Sequence, residues 1–305
     1  MTNKKKEIEF VGLGFCSNDY ISLLPEIPID HKVQMIEHLI QGGGPAATAT
    51  VAAARLGMKA AFISMVGDDD PGKRILKDFE AESVYTGAML VRENSASPIA
   101  YCWIDQPTGK RSIAWTRGTL RELDPSELDM ELILNAKLLH LDGHNTAAAI
   151  VAAEEARKHG VLVNLDAGTI RPGVEKIMEH TDILFTSEYF ARTWTKEDDL
   201  ERALLKLVKI GAKVTGVTMG DKGSIAFDNG KIIHCPAFQV TPVDTTGAGD
   251  VFHSAFGVKY VECGDIYESM RFASAVSAIK CLKLGGRAGI PTRRQVDDFL
   301  AEHQS

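Results

Sequence analysis

Cysteine is scarce and scattered in this chain of 305 residues: Cys16, Cys102, Cys235, Cys263 and Cys281 include no Cys-x-x-Cys pair. That excludes a zinc ribbon and argues against a disulfide framework. The nine histidines contain no His-Glu-x-x-His. Basic runs are absent beyond Lys4-Lys5-Lys6, and the formal net charge is −7, so nucleic-acid binding is not expected. No apolar stretch is long enough to span a bilayer. The basic start runs into Glu7-Ile8-Glu9-Phe10 rather than an apolar segment, so no signal peptide is read and a cytoplasmic location is expected. Low-complexity tracts, linkers and internal repeats are also missing. What remains is an ordinary globular composition, 45% hydrophobic and 25% charged.

The most informative stretch that is present is Val243-Asp244-Thr245-Thr246-Gly247-Ala248-Gly249-Asp250-Val251-Phe252. Gly247 and Gly249 allow a turn and a close backbone approach to a ligand. A helix starting here would leave its first N–H groups free to hold an anion. Asp250 falls in the first helical turn, where a base for phosphoryl transfer is wanted. A plain helix cap would share these features, because the helix dipole favours an acid there. A dinucleotide fingerprint fails at Phe252, where a third small residue is required. A P-loop near miss, Gly67-Asp68-Asp69-Asp70-Pro71-Gly72-Lys73-Arg74, places three acids in the cradle and no hydroxyl after the lysine. It reads as a helix start with Asp70 as N-cap and Pro71 at the first helical position.

Strand and helix patterns alternate along the chain. Strands are expected at Ile8–Gly14, Ala60–Val66, Lys137–Asp142, Val161–Leu165, Asp182–Phe185, Lys213–Thr218 and Ser224–Phe227. Helices are expected at Pro45–Arg55, Pro71–Glu82, Ala147–His159, Gly247–Val261, Asp265–Leu284 and Thr292–Glu302. Asp124-Pro125-Ser126-Glu127 is an acidic capping-box start, and Asp228-Asn229-Gly230-Lys231 a hairpin turn. Alternation of this kind predicts an α/β class, a doubly wound, mainly parallel sheet with helices on both faces. Two segments break the pattern: Asp19–Ile40, with Pro25 and Pro28, and Ser97–Thr116, a hairpin turning at Gln106-Pro107-Thr108-Gly109. A hairpin must pack on the core or on a partner.

The stretch Asp244–Asp250 resembles the C-terminal signature of the ribokinase-like (PfkB) carbohydrate kinases. Upstream, Gly43-Gly44-Pro45-Ala46-Ala47-Thr48, Ala54-Arg55-Leu56-Gly57 and Val66-Gly67-Asp68-Asp69 resemble its other signature. The resemblance spans essentially the whole chain. Among branches, Gly42–Gly57, Asp250-Val251-Phe252-His253 and Gly285–Pro291 look most like sulfofructose-kinase and ketohexokinase-like members. The resemblance implies one ribokinase-like domain over 1–305, with a small β lid from about 15–40 and 97–116 that makes a homodimer in many members. It implies an ATP-dependent kinase acting on a sugar hydroxyl, with Mg2+; a nucleoside or sulfosugar kinase, or a non-catalytic sugar-binding protein, stay as alternatives.

The resemblance also implies roles. Asp250 is the general base, with Gly247, Ala248 and Gly249 as the anion hole. Asp19, Gly43, Gly44 and Thr48 face the sugar, Thr48 standing where the family often has Asn. Asp142 and Arg171 are further candidates on the substrate side, although Arg171 could equally make a surface salt bridge. Thr218, Gly220 and Gly223 lie under the nucleotide phosphates. Ser187 and Phe190 stand where many relatives carry Asn and Glu near the nucleotide and magnesium, and Glu188 is a candidate substitute. Asp244, Thr246 and Gly285 match a site that holds K+ in some relatives, so a potassium ion is allowed there. Trp103 and Trp115 would fill the lid interface rather than stack on a sugar.

Overall fold

The computed structural model describes residues 7–303, so Lys4-Lys5-Lys6 lies outside the described residues. Strands β1 (Phe10–Leu13), β4 (Ala60–Ile63), β9 (Leu138–Leu141), β10 (Leu162–Ala167), β11 (Ile183–Ser187), β12 (Val214–Thr218), β13 (Ser224–Asp228) and β14 (Lys231–Cys235) form one sheet. Its order is β14-β13-β12-β11-β10-β9-β1-β4. Every pairing is parallel except β12 with β13 and β13 with β14. The parallel strands are buried on both faces, and their near-continuous apolar runs reflect that. Asn229 and Gly230 both have positive φ, which suits the tight β13–β14 turn.

A second sheet has the order β3-β2-β7-β8, from β2 (Ser17–Leu24), β3 (Glu37–Gly43), β7 (Ile99–Asp105) and β8 (Arg111–Thr116). The 15–40 and 97–116 segments therefore meet in one sheet, through the parallel β2–β7 pairing. Alternation gives it two faces. Ile21, Leu23, Ala100, Cys102 and Ile104 cluster on the inner face with Leu284. Tyr20 and Tyr101 stack on the other face, with ring centroids 5.0 Å apart. A short parallel pair, β5 (Met65–Gly67) with β6 (Leu90–Arg92), completes the strands. β6 carried no strand pattern long enough to be read from the sequence.

Helix α1 (Pro45–Arg55) is rich in alanine, and its small side chains let it pack closely on β1 and β4. Helix α2 spans Asp70–Ala81. Its N-cap is Asp69, not Asp70: the Asp69 carboxylate accepts the Gly72 N–H at 3.0 Å, and Asp70 is already helical. Both residues are acids, and only the backbone conformation at Asp69, extended with ψ 175°, decides between them. The acidic capping box Asp124–Glu127 forms, but on one 3-10 turn, and α3 (Met130–Leu134) starts afresh with Asp129 as cap.

Helices α4 (Thr146–Lys158), α5 (Val174–Glu179), α6 (Glu188–Thr195) and α7 (Leu200–Val208) follow their strands. The chain closes with α8 (Ala248–Cys263), α9 (Ile266–Lys280) and α10 (Arg293–Glu302). Helix α8 packs against α1, α9 and the sheet, and Val251–Val258 is buried throughout. An amphipathic stripe is therefore absent from α8, as expected for a helix inside a core.

Candidate active site

Strand order reverses at β1, which runs between β9 and β4 although β4 follows it first in sequence. Ligands bind at such a switch point, beyond the carboxyl ends of the strands. There the backbone N–H groups of Phe15, Ala46 and His144 donate to the Asp142 carboxylate at 2.9, 3.1 and 2.9 Å. Asp142 thus ties the ends of β1 and β9 to the start of α1. A Cβ on Gly14 would fall 2.3 Å from Asp142 Oδ1, so the backbone must come this close.

Asp19 lies within β2 rather than in a turn, paired between Gln41 and Ala100. It is buried, and desolvation raises its carboxyl above the usual range, against the Ser17 hydroxyl bond and the nearby Arg287 charge. A Cβ on Gly43 would sit 1.9 Å from Asp19 Oδ2. Gly44 has φ +94°, where a side chain would also strike the Phe15 carbonyl. Thr48 is buried in α1, its N–H donating to Gly44 O at 2.8 Å. Its methyl lies 3.4 Å from where a Gly247 Cβ would stand. The two glycine signatures, some two hundred positions apart in sequence, therefore touch through Thr48.

Gly247 is the N-cap of α8 with φ +76°, and no side chain caps the helix start. A Cβ on Gly249 would meet nothing within 4 Å, so the space above this start is open. The Ala248 N–H donates to the Thr245 carbonyl at 3.2 Å, so among the first-turn groups the N–H groups of Gly249 and Asp250 are left for that opening. Asp250 is in the same turn and half-buried. Desolvation, then the charge of Asp166, pushes its carboxyl up to about 7, while His253 and Arg111 pull the other way. Beneath it His253 Nδ1 lies 2.8 Å from Asp166 Oδ1, both side chains buried. Asn164 Nδ2 donates to the His253 carbonyl at 2.9 Å and lies 3.0 Å from His140 Nδ1. Burial pushes His140 down to about 4. Apart from His253, quoted only as part of a motif, this polar cluster has no sequence signal of its own; its members sit on three different elements.

From the second sheet, Arg111 Nη1 donates to Thr245 Oγ1 at 3.2 Å. A cavity of about 560 Å³ opens between β8 and the 242–245 loop, lined by Lys110, Arg111, Ile113, Val243, Asp244 and Thr245 among others. The two tryptophans face opposite ways. Trp103 pairs with Ser112 and lies on the outer face with Tyr101. Trp115 turns inward, edge-on to Phe15 at 5.5 Å, so it lines the site side of the sheet. Phe15 in turn stacks on His144.

Arg171 is half-buried beside Gly143, and desolvation lowers its pKa. Its carbonyl accepts the Val174 N–H at 3.2 Å, but among the described residues its guanidinium has neither a hydrogen bond nor an ion pair, so the surface salt bridge allowed by the sequence does not form.

On the nucleotide side, Ser187 caps α6, accepting the Phe190 N–H at 3.1 Å and donating to Gly168 O at 3.2 Å. Phe190 is fully buried. Glu188 accepts from Arg192 one helical turn on. Thr218 ends β12, Gly220 opens a 3-10 turn, and Gly223 is held against the Cys235 carbonyl. Asp244 Oδ1 accepts the Thr246 N–H and Oδ2 the Gly285 N–H, both at 2.8 Å, while its main-chain carbonyl accepts from Lys280 Nζ at 2.8 Å.

Residues 10–293 match the model of the pfkB family carbohydrate kinases. The chain is 29% identical to the ribokinase of Bacillus subtilis (strain 168), over 95% of this chain and 98% of that one. It is also 29% identical to the ATP-dependent ribose-1-phosphate kinase of Halopiger xanaduensis, over 92% and 93%. Arabidopsis thaliana ribokinase, solved with ribose and ATP, superposes with a TM-score of 0.84 at 26% identity, covering 96% of this chain and 98% of that one. Thermotoga maritima ribokinase gives 0.83 at 26%, covering 96% and 99%. No helix among the described residues is long and apolar enough to cross a membrane. A family match over most of the chain and a ribokinase-like fold lead to one conclusion: this chain belongs to the pfkB family of carbohydrate kinases, ATP-dependent phosphotransferases with an alcohol group as acceptor.

Proposed function

We propose that this kinase transfers the γ-phosphate of ATP to a hydroxyl of a small sugar, with Asp250 as general base. One observation carries the reading: a carboxylate with its pKa near 7 stands in the first turn of an uncapped helix that opens on free space. A base tuned near the working pH is partly ionised and still basic enough to take a proton. Asp250 accepts the proton of the attacking hydroxyl. The N–H groups of Gly249 and Asp250 meet the negative charge on the transferred phosphoryl group, and Arg111 adds a positive charge from the second sheet. Asp19 and the backbone at Gly43–Gly44 hold the sugar hydroxyls, and Trp115 with Phe15 shields that end from water.

The nucleotide lies over α8 toward Thr218 and Gly220, with Ser187 on the far side. No group of three His, Cys, Asp or Glu side chains among the described residues is arranged for a metal ion. Magnesium needs only one or two carboxylates beside phosphate oxygens and would arrive on the phosphates of ATP, neutralising part of their charge; Glu188 is already engaged by Arg192. The outer face of the second sheet, with exposed Ile40, Tyr101 and Trp103, is proposed as a homodimer contact.

Ribose is the acceptor named for relatives and is the first to test. The unpaired guanidinium of Arg171 favours a second reading, a sugar that carries an anionic substituent, which includes sulfosugars. ATP consumption across pentoses, hexoses, nucleosides, sugar phosphates, sugar acids and sulfosugars tests both. No stimulation by any of them would remove the kinase reading and favour a sugar-binding protein that keeps the fold.

A further inference from the structure

The loop beneath the proposed anion site already contains a cation of its own. Lys280 is the last residue of α9 and is fully buried. Its Nζ donates to the main-chain carbonyl of Asp244 at 2.8 Å. Around it, Val243 and Asp244 donate their N–H groups to the Cys281 carbonyl at 2.8 and 3.2 Å. Both Asp244 carboxylate oxygens accept backbone N–H groups, from Thr246 and Gly285. A Cβ on Gly289 would lie 2.2 Å from the Lys280 carbonyl, so the late glycine-rich turn is packed onto this lysine.

Potassium needs a cage of oxygens that replaces its water shell. Here all three Asp244 oxygens already accept, one from an ammonium and two from N–H groups; among the described residues the buried Thr246 hydroxyl is left without a partner, and one hydroxyl is not a cage. A potassium ion beside a buried ammonium would also meet like-charge repulsion in a medium of low dielectric. The donor set at Asp244, Thr246 and Gly285 does not fit the ion that the resemblance allows. An ammonium is a compact point charge of comparable size; burial lowers the Lys280 pKa while the Asp244 charge raises it, and the last turn of α9 adds the negative end of the helix dipole.

We infer that the Lys280 ammonium is the built-in cation of the Asp244–Gly247 loop, positioning the helix start that meets the ATP phosphates, so that the enzyme works without potassium. The inference rests on the kinase reading. Lys280 acts through the loop and is a positioning residue.

The test compares the full-length protein in potassium chloride and in tetramethylammonium chloride at equal ionic strength. ATP affinity by calorimetry, melting temperature and turnover are read together. The expected result is a change below about twofold in each salt pair, against the roughly 5–150-fold of ordinary effector coupling. Lys280→Gln, which keeps a donor but not the charge, should weaken ATP binding by about tenfold or more. Lys280→Met should do the same, with partial rescue by ammonium or potassium salts. If a variant does not fold, the wild-type salt comparison still decides. Severalfold tighter ATP binding in potassium would overturn the inference, as would wild-type ATP affinity in folded Lys280→Gln. Normal ATP binding in both salts with no turnover on any acceptor would instead count against the kinase reading alone.

Discussion

His253 Nδ1 and Asp166 Oδ1 are 2.8 Å apart, one helical turn below Asp250. The pair joins α8 to the end of β10 at the floor of the site. Burial favours a protonated Asp166, yet the imidazole outweighs burial and holds its carboxyl below the usual range. Asp166 in turn raises the Asp250 carboxyl while His253 lowers it. The floor therefore tunes the base as well as supporting it.

The pH profile follows from this. Asp250 acts as a base only when ionised, so kcat/KM should rise with pH through about 7 and then level off. Asp166→Asn removes the charge that raises the Asp250 pKa. Its acid limb should move downward by about half a unit to one unit. An unmoved limb together with a lower kcat would mean that Asp166 is purely structural.

Asp250→Asn should lower kcat by about 10²–10⁴-fold, the usual contribution of a general base. ATP binding should change little, because the N–H groups belong to the backbone. Stability should move the other way. The native carboxyl keeps its proton up to about 7, whereas an unfolded Asp ionises near its ordinary value. The native state therefore binds more protons across that window, and wild-type stability falls as pH rises through it and stays lower above it. The variant lacks this loss, so scanning calorimetry at alkaline pH should show it melting about 2 °C or more higher.

Gly249→Val separates binding from folding. Its Cβ would enter open space, so the protein should fold with an unchanged melting temperature. The side chain would occupy the room above the α8 start, and the KM for ATP should rise by about tenfold or more. Unchanged ATP kinetics would put the phosphates elsewhere.

Arg171→Ala should raise KM by about tenfold for an acceptor with an anionic group, leaving kcat for neutral sugars unchanged. Equal effects on neutral and anionic acceptors would remove the second reading of the substrate.

Tyr101→Glu places a charge in the middle of the outer sheet face. If that face joins two copies, light scattering should show a dimer for the wild type and a monomer for the variant. A wild-type monomer at micromolar concentration would end the dimer proposal.

The sequence by itself determined the elements and the chemistry of short segments. Helix α1 begins at Pro45 and ends at Arg55 as read, the turn at Asn229-Gly230 forms, and the order of strands and helices implies the parallel sheet. These signals are local: fixed φ at proline, positive φ at glycine, apolar runs of strand length. The two glycine signatures also carried the family. Only the tertiary structure decided which acids and bases meet. Asp69 rather than Asp70 caps α2 because of one extended backbone angle. Trp115 faces the site and Trp103 faces away because strand register, not composition, assigns the faces. His253 finds Asp166, and Lys280 finds Asp244, across gaps that no local pattern spans. Their environments come from burial and from neighbours brought in by other strands, and a charge in a sequence carries no record of either.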